Sequence, residues 1–395
     1  TLREAVWSDA VPITAGDVVA GLRRALDPAT RNQYPSTLFM IENAEAVNTG
    51  ARPVEALGAT ALDPRTVELR LGYPAPYLPS VLMLWGQPLP RHAYEAHGED
   101  WIRPENIVTS GPYHLEAWRS NNFVHLSASE TFHDADALCF DEVYFYPTVD
   151  TASAERRVRN GELHLNTDFS GANLDFLRQA HPEIVEISPG LLMRNITFNT
   201  EVPPFDDDRV RRALSMAIDR RFLAGEVLSG ADEAMFRVVA EGIANRAEDI
   251  GLDYAGDAMT ARREEARRLL REAGFGPENP LRFTFHYTPS SGWPRLVPVV
   301  QADWAAVAPW VEAELMARES QLHYAAMRAG DFTVATAGWI PDFDDPYAYL
   351  LQWEGRANDI NYSRWSDARY DALLADAVET ADTDRRARLM GEAEQ

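Results

Sequence analysis

The stretch that decides the fold class covers residues 260–287 and reads TARREEARRLLREAGFGPENPLRFTFHY. Its first half predicts a helix, because Leu269 and Leu270 supply an apolar face and Gly274 stands where a helix ends. Its second half alternates apolar and polar side chains over residues 281–287, as a half-buried strand does. A helix followed directly by a strand is typical of α/β proteins with partly parallel sheets.

The same alternation of helices and strands continues on both sides of this stretch. Thr14 followed by Asp17 predicts the capped start of a helix, and the three aspartates at 206–208 predict another helix start. Toward the C-terminus, residues 331–337 predict a buried strand and residues 366–377 predict a helix. We therefore predict a mixed α/β chain of two lobes, in which ligands lie at the carboxyl ends of strands or between the lobes.

Composition and charge exclude several classes of protein. The chain has 395 residues, of which 46% are hydrophobic, and this length fits two or three domains of ~150 residues. Its 37 basic and 61 acidic residues give a net charge of −24, which opposes binding to nucleic acids and to anionic membranes. Every basic residue is an arginine, so mechanisms that need a lysine amine are excluded.

The sequence lacks the common motifs for catalysis, metal binding and nucleotide binding. It contains no HExxH, GxSxG, GxGxxG or GxxxxGK[ST] segment. Its single cysteine, Cys139, excludes an intrachain disulfide and is predicted to be a buried thiol. No run of about 18 apolar residues predicts a membrane span. We therefore predict no catalytic residue, no metal site and no cofactor.

The most distinctive segment is residues 338–347, which read GWIPDFDDPY. A carboxylate flanked by Trp339 and Phe343 can meet a ligand cation in a partly dry site, where the charge pair and the aromatic rings both contribute. Two other interpretations remain open at this point. The segment can be a strand-to-helix turn capped by Asp344 or Asp345, or its aspartates can serve as acid–base groups of a secreted hydrolase.

Five segments in chain order resemble one protein family. They are WSDAVPITAGDV at 7–18, NIVTSGPY at 106–113, PPFDDDRVRRAL at 203–214, EARRLLREAGF at 265–275 and FTVATAGWIPDFDDP at 332–346. Together they resemble the extracytoplasmic solute-binding proteins of peptide ABC transporters, the oligopeptide- and dipeptide-binding group of family 5 type. The match extends over nearly the whole chain, with Ala10 in place of the usual glycine.

The resemblance implies an α/β fold of the periplasmic-binding-protein type. This fold is a two-lobed clamshell, type II-like, with an extra small sub-domain and mixed sheets flanked by helices. Residues 1–90 would form the extra sub-domain of the first lobe, residues 91–191 part of the first lobe, and residues 192–395 the second lobe with the ligand-amine site. The resemblance also implies that the N- and C-terminal segments of the family are absent from this chain.

The implied function is that of the substrate-binding component of an ABC importer. Such a protein captures a small peptide in the cleft between its lobes and delivers it to the permease subunits in the membrane. It is not an enzyme, needs no cofactor, binds no nucleic acid and is expected to be a monomer. The implied location is the periplasm, or the cell surface with a lipid anchor. The same fold can also bind a non-peptide solute that carries an amine, or a metal chelate.

Five residues are implied as ligand contacts, namely Asp342, Trp339, Phe343, Tyr34 and Trp293. In the family, the aspartate at the position of Asp342 pairs with the N-terminal ammonium of the peptide, and Trp339 matches a tryptophan of the pocket. Phe343 stands beside this aspartate. Tyr34 falls where the family has a tyrosine near the ligand, and Trp293 stands near the position of a histidine used for longer peptides.

Two departures from the family pattern concern the same strand and loop. Well-known oligopeptide binders have an arginine that helps hold a ligand carboxylate where this chain has Thr336. A disulfide of some members would fall near Leu192 and Ile340, so this chain lacks it. The resemblance therefore leaves the partner of a ligand carboxylate and the length of the peptide open.

Overall fold

The computed structural model describes residues 1–148, 150–167, 173–188, 190–290, 292–357, 359–380 and 382–395. The chain divides into two compact units, Thr1–Asp150 and Thr151–Gln395, and each has strands and helices of its own. In the first unit the helices are α1 (Ala15–Leu26), α2 (Ala44–Asn48), α3 (Leu78–Trp85) and α4 (Arg91–His97). Its strands are β1 (Ala59–Asp63), β2 (Thr66–Leu69), β3 (Tyr113–Arg119), β4 (Phe123–Ala128) and β5 (Glu142–Phe145).

The first unit contains two antiparallel sheets, the pair β1–β2 and the three-stranded sheet β3–β4–β5. Helix α1 begins as predicted, because the Asp17 carboxylate accepts a hydrogen bond from the backbone N–H of Thr14 at 2.8 Å. Leu22 and Leu26 follow on the face of α1 that is fully buried. The cap and the apolar stripe together fix this helix in the unit.

The second unit holds the larger sheet and most of the helices. The helices are α5 (Thr151–Arg159), α6 (Leu174–Ala180), α7 (Asp208–Ala217), α8 (Arg220–Phe222), α9 (Met259–Glu272), α10 (Trp293–Ala305), α11 (Ser320–Ala329), α12 (Tyr347–Leu350), α13 (Ala368–Glu379) and α14 (Thr383–Glu394). The strands are β6 (Met193–Phe198), β7 (Leu281–Tyr287), β8 (Val311–Ala317) and β9 (Val334–Trp339). Their order in the sheet is β6–β9–β7–β8; β7 is parallel to both β8 and β9, whereas β6 is antiparallel to β9.

The larger core of the second unit lies on one face of this sheet, and a smaller cluster that includes Ala335 and Ala337 lies on the other face. The alternation predicted for residues 281–287 is present, since Phe283 and Phe285 enter the core from alternate positions of β7. Trp304 of α10 packs against both rings and donates its indole N–H to the carbonyl of Leu214 at 3.0 Å. Burial of one such side chain stabilises the fold by about 1.5–3 kcal/mol. The predicted mixed α/β class is therefore confirmed.

Three local predictions were wrong or incomplete. Val210, Leu214, Ile218 and Phe222 recur every four residues and predict one helix through Phe222. Instead α7 ends at Ala217, and Phe222 is exposed, because Asp219 caps a separate short helix. Cys139 is exposed rather than buried, since it lies in the irregular segment just before β5. Helix α14 was not predicted. The cap at the aspartate run is confirmed, with the Asp207 side chain accepting from the backbone N–H of Arg209 at 2.9 Å.

Candidate functional site

The acidic and aromatic loop follows an interior strand of the larger sheet. Strands β7, β8 and β9 are parallel, so their carboxyl ends lie at the same edge, where ligands of α/β proteins commonly bind. Trp339 is the last residue of β9 and pairs with Met193, the first residue of β6. Residues 340–346 then connect β9 to α12. We name residues 339–346 the β9–α12 loop.

Trp339 is held in a defined orientation at the start of this loop. It is half-buried, and its indole N–H donates a hydrogen bond to the carbonyl of Ala348 at 2.6 Å. The bond ties the ring to α12, and a fixed indole face loses little entropy when it contacts a ligand. The next residue, Ile340, is 64% exposed. The loop therefore presents apolar surface at the edge of the sheet.

The three aspartates of the loop have different surroundings. Asp344 is exposed and accepts a hydrogen bond from the backbone N–H of Ala244 at 2.8 Å. Asp345 is 3% exposed, and its carboxylate stabilises the fold. Asp342 is half-buried and stands next to Phe343, whose ring is buried and lies 6.4 Å from the Tyr347 ring. Asp342 follows Trp339 by three residues and directly precedes Phe343, and its contact with a ligand stays a prediction.

Asp345 forms a buried ion pair with Arg386 of α14. Both guanidinium Nη atoms donate to the two carboxylate oxygens, one of them at 2.8 Å. The same carboxylate accepts from the backbone N–H of Tyr347 at 2.9 Å, so the turn interpretation is correct for Asp345. Sequence reasoning missed Arg386. A local signal existed for its helix, since Asp382 stands at the N-cap and Arg386 and Met390 are spaced i and i+4, but not for the pairing with Asp345.

A second buried network lies behind the loop. The Tyr347 hydroxyl donates to the Glu354 carboxylate at 2.8 Å, and the Arg356 Nε donates to it at 3.1 Å. Burial raises the pKa of Glu354, while the Arg356 charge and the hydrogen bonds oppose that rise. Burial also raises the pKa of Tyr349 to about 12, and its hydroxyl donates to the carbonyl of Leu191 at 2.7 Å. These groups hold α12 and the loop in place.

Trp293 lies at the start of α10, and its role at a ligand stays a prediction. It is 7% exposed and belongs to the same core as Trp304. The guanidinium of Arg194, which also pairs with Asp232 at 2.8 Å, lies 6.0 Å from its ring centre. Arg194 pairs with Gly338 across β6 and β9, one residue before Trp339. Sequence reasoning did not single out this arginine at the end of the strands.

Tyr34 lies in the first unit, whereas the other four predicted contacts lie in the second. It is half-buried, and its ring centre lies 6.2 Å from that of Trp85. Its backbone carbonyl accepts a hydrogen bond from the Thr37 hydroxyl at 2.7 Å. The role of Tyr34 at a ligand stays a prediction.

The described residues form neither a metal-binding cluster nor a membrane-spanning helix. They contain no group of three or more His, Cys, Asp or Glu side chains arranged to hold a metal ion. Within the same part of the chain, no helix is both long and apolar enough to cross a membrane.

Comparison with known proteins decides the family. The model of the family described as "Bacterial extracellular solute-binding proteins, family 5 Middle" matches residues 1–361. This chain belongs to that family. The family predicted from the sequence is therefore confirmed.

Relatives and solved structures of family 5 agree with this assignment. YgiS of Escherichia coli K12, a probable deoxycholate-binding periplasmic protein, is 31% identical over 394 residues, covering 98% of this chain and 72% of YgiS. OppA of Salmonella typhimurium, a periplasmic oligopeptide-binding protein, is 31% identical over 399 residues, covering 100% of this chain and 73% of OppA. A solved structure of OppA from Burkholderia pseudomallei has a TM-score of 0.93 at 26% identity, covering 99% of this chain and 77% of that one. The predicted periplasmic-binding-protein fold is thus confirmed.

One departure from the family 5 pattern has a structural correlate in β9. Thr336 is 1% exposed. It follows the core residue Val334 by two positions in the strand, so both side chains point to the same face and toward the core. In the described part of the chain, its hydroxyl has no hydrogen-bond partner, and its carbonyl accepts from His323 Nε2 at 2.8 Å. A buried, uncharged side chain at this position is not a partner for a ligand carboxylate.

The other departure concerns the strand ends beside Trp339. Continuing the pairing of Met193 with Trp339 by one residue brings Leu192 opposite Ile340. Both side chains are exposed, at 44% and 64%. A Cβ added to Gly338 would lie 3.3 Å from Leu192 Cδ1, so Leu192 covers Gly338. Two apolar residues therefore lie near the place where the resemblance puts a disulfide of some members.

Proposed function

We propose that this protein is the substrate-binding component of an ABC importer and captures peptides for a membrane permease. The observation that carries the proposal is the β9–α12 loop, which joins Asp342 to Trp339 and Phe343 at the carboxyl end of an interior strand. The proposal is supported by membership of family 5 and by the similarity to an oligopeptide-binding OppA.

Binding by this loop requires charge pairing and contact but breaks no bond. Asp342 pairs with the N-terminal ammonium of a peptide, and Trp339 and Phe343 form apolar walls that strengthen the pair by excluding water. Main-chain groups of the protein form hydrogen bonds with the backbone of an extended peptide, and these bonds do not depend on the side chains of the peptide. Water-filled side-chain pockets then accept many sequences. The protein is in this proposal a binding protein and not an enzyme.

The proposal extends to domains, partners and location. Residues 192–395 form the lobe with the ligand-amine site, while residues 1–90 and 91–191 contribute the sub-domain and part of the other lobe. Tyr34 and Trp293 complete the ligand contacts. The protein acts as a monomer outside the cytoplasm, in the periplasm or at the cell surface on a lipid anchor, and docks on permease subunits.

Thermal denaturation with matched ligands tests the proposal. A ligand that binds only the folded state raises the melting temperature with its concentration. Free-amine peptides are expected to raise it, whereas the same peptides with an acetylated N-terminus are expected to have a much smaller effect. Equal stabilisation by both sets would refute the role of Asp342. Native mass spectrometry of the purified protein would add a series of peptide masses, whereas one discrete non-peptide mass would favour a non-peptide solute.

A second candidate ligand class follows from the similarity to YgiS, whose name indicates deoxycholate. Deoxycholate has a carboxylate and no amine, so it cannot pair with Asp342 and would be repelled by it. Deoxycholate below its micelle concentration therefore belongs in the same denaturation series. Stabilisation by deoxycholate that is unchanged in an Asp342→Asn variant, without any response to peptides, would replace the peptide proposal.

A further inference from the structure

Three arginines surround one aromatic ring in the second unit. Their guanidinium carbons lie 5.5, 5.0 and 5.7 Å from the centre of the Phe236 ring, and they belong to Arg220, Arg221 and Arg262 respectively. The first two are in α8 and the third is in α9. We name these three residues the arginine cluster. Three positive charges therefore lie close to the Phe236 ring, which is half-buried.

The donors of the arginine cluster are directed to neutral oxygens. Arg220 donates to the Ser215 carbonyl and hydroxyl at 2.9 Å each, Arg221 to the Ala255 carbonyl at 3.1 Å, and Arg262 to the Ile218 carbonyl at 2.7 Å. Among the described residues, no carboxylate oxygen lies within 4.0 Å of any of the three guanidiniums. The chain has 61 acidic and 37 basic residues, so a shortage of carboxylates does not explain this.

Neighbouring arginines that stack or pack in the same region do have carboxylate partners. Arg212 lies 5.6 Å from the Tyr254 ring centre and pairs with Asp253 at 2.6 Å. Arg263, next to the cluster in α9, pairs with Asp303 at 2.8 Å. Stacking on a ring therefore does not by itself exclude an ion pair here. Unlike these two neighbours, the three arginines of the cluster have no carboxylate partner among the described residues.

Arg262 is the most deeply buried arginine of the cluster, and its guanidinium carbon also lies 5.1 Å from the centre of the Tyr254 ring. It is 2% exposed, and its Nε is buried without an acceptor in the described part of the chain. Burial, and then the charge of Arg220, lower the pKa of Arg262, although Tyr254 and Asp219 oppose the shift. The Asp219 carboxylate is occupied as a helix cap, accepting from the backbone N–H of Phe222 at 3.0 Å. A buried charge beside like charges is unfavourable unless an anion compensates it.

We propose that the arginine cluster binds an oxyanion of the phosphate type. The neutral oxygens take two N–H groups of Arg220 and one each of Arg221 and Arg262, whereas a guanidinium that stacks on a ring has five N–H donors in its own plane. A single carboxylate is matched by one guanidinium, whereas a phosphate offers more acceptor oxygens and up to two negative charges. Several guanidiniums around one ring therefore match a phosphate better than they match a carboxylate. The phosphate belongs either to a free phosphate or phosphomonoester, or to a lipid headgroup.

Inorganic phosphate is the first probe. At constant ionic strength and pH, replacing chloride by phosphate is expected to raise the melting temperature of the full chain. Arg221 is exposed, so Arg221→Gln removes one charge without opening the core, and it should weaken the apparent affinity for phosphate about tenfold or more. Arg282→Gln is the matched control, because this exposed arginine pairs with Glu312 and lies outside the cluster. It should keep the full response.

Vesicles separate the two sources of phosphate. Co-flotation with vesicles of phosphatidic acid in phosphatidylcholine, compared with phosphatidylcholine alone, reports binding to a lipid headgroup. A response to soluble phosphate alone indicates a free phosphate, and Arg221-dependent flotation indicates a headgroup. The proposal is overturned if neither probe has an effect, or if Arg221→Gln and Arg282→Gln behave alike. Neither probe contains a peptide, so the result does not depend on the proposed function.

Discussion

Arg386 and Asp345 form a bidentate ion pair in which both side chains are almost fully buried, at 4% and 5% exposure. The pair joins α14 to the β9–α12 loop, and Asp342 lies only three residues before Asp345. A buried pair of this kind costs desolvation, so its main effect is to fix one geometry of the loop. The last helix of the chain thereby supports the candidate site.

Removing one partner of this pair is expected to destabilise the second unit. Arg386→Met leaves the Asp345 carboxylate buried without its cation, which costs about 3–5 kcal/mol of the free energy of unfolding. Urea denaturation followed by far-UV circular dichroism measures the loss. The double variant Asp345→Leu with Arg386→Met should recover part of it, because no charge remains buried. Asp344→Asn, at the exposed neighbour, should cost less than about 1 kcal/mol. An Arg386→Met midpoint equal to that of the wild type would contradict the role of the pair.

Asp342→Asn is expected to weaken the binding of peptides with a free N-terminus. The substitution keeps the size of the side chain and removes the charge, and a hydrogen bond to a charged group is worth about 1.5–3 kcal/mol. The dissociation constant should therefore rise roughly 10- to 150-fold, while binding of N-acetylated peptides changes little. Isothermal titration calorimetry with both peptide forms measures the difference, and Asp344→Asn serves as the control. A loss of affinity that is the same for both forms would show that Asp342 acts on the fold and not on the ammonium.

Two buried histidines should make the second unit sensitive to acid. Burial, and then the Arg318 charge, lower the pKa of His286 to about 4; the His323 charge acts in the same direction and Asp331 in the opposite one. Burial also lowers the pKa of His323, whose Nε2 donates to the carbonyl of Thr336. Both side chains are therefore neutral in the folded protein at pH 7. Unfolding allows them to take up protons more readily, so the unfolded state gains stability as the pH falls.

The histidines should thus make their full contribution to the free energy of unfolding above pH 6.5. This contribution should be lost as the pH falls from 6.5 to about 4. The contribution of His286 is about 3 kcal/mol over this range, since one pKa unit corresponds to about 1.4 kcal/mol. Urea denaturation at a series of pH values measures the slope. His286→Gln should reduce that slope, whereas His164→Gln, at an exposed histidine, should leave it unchanged. Identical slopes for the two variants would exclude His286 as the cause.

Sequence periodicity predicted the elements whose signals are local. The helix and strand of residues 260–287 and the cap at Asp207 depend on residues a few positions apart, and the structure has all of them. The ion pair between Asp345 and Arg386 joins residues 41 positions apart, so no local pattern contains it. The arginine cluster likewise combines α8 and α9 around the ring of Phe236, which lies between these helices in the sequence. Such contacts depend on the tertiary arrangement, which one sequence does not specify by periodicity alone.

A designed disulfide tests the pairing of the strand ends beside Trp339. Leu192 comes opposite Ile340 when the register of Met193 with Trp339 is continued by one residue, and cross-strand neighbours of this kind can satisfy disulfide geometry. The double variant Leu192→Cys with Ile340→Cys should oxidise to one intrachain bond. Replacing the exposed Cys139 by serine in the same background removes the competing thiol. The bond closes a loop of roughly 150 residues, and chain entropy then favours the folded state by at most about 5 kcal/mol.

Free-thiol titration and the melting temperature with and without dithiothreitol measure the result. The oxidised double variant should melt at a higher temperature than its reduced form, while Leu192→Cys alone should show no dependence on the reductant. Because the two side chains are exposed, their replacement should disturb the core of the second unit little. If both thiols remain free under oxidising conditions, the two positions are not neighbours, and the register assigned to the ends of β6 and β9 is wrong. If the bond forms and the peptide response is unchanged, the two strand ends stay together in the ligand-bound state.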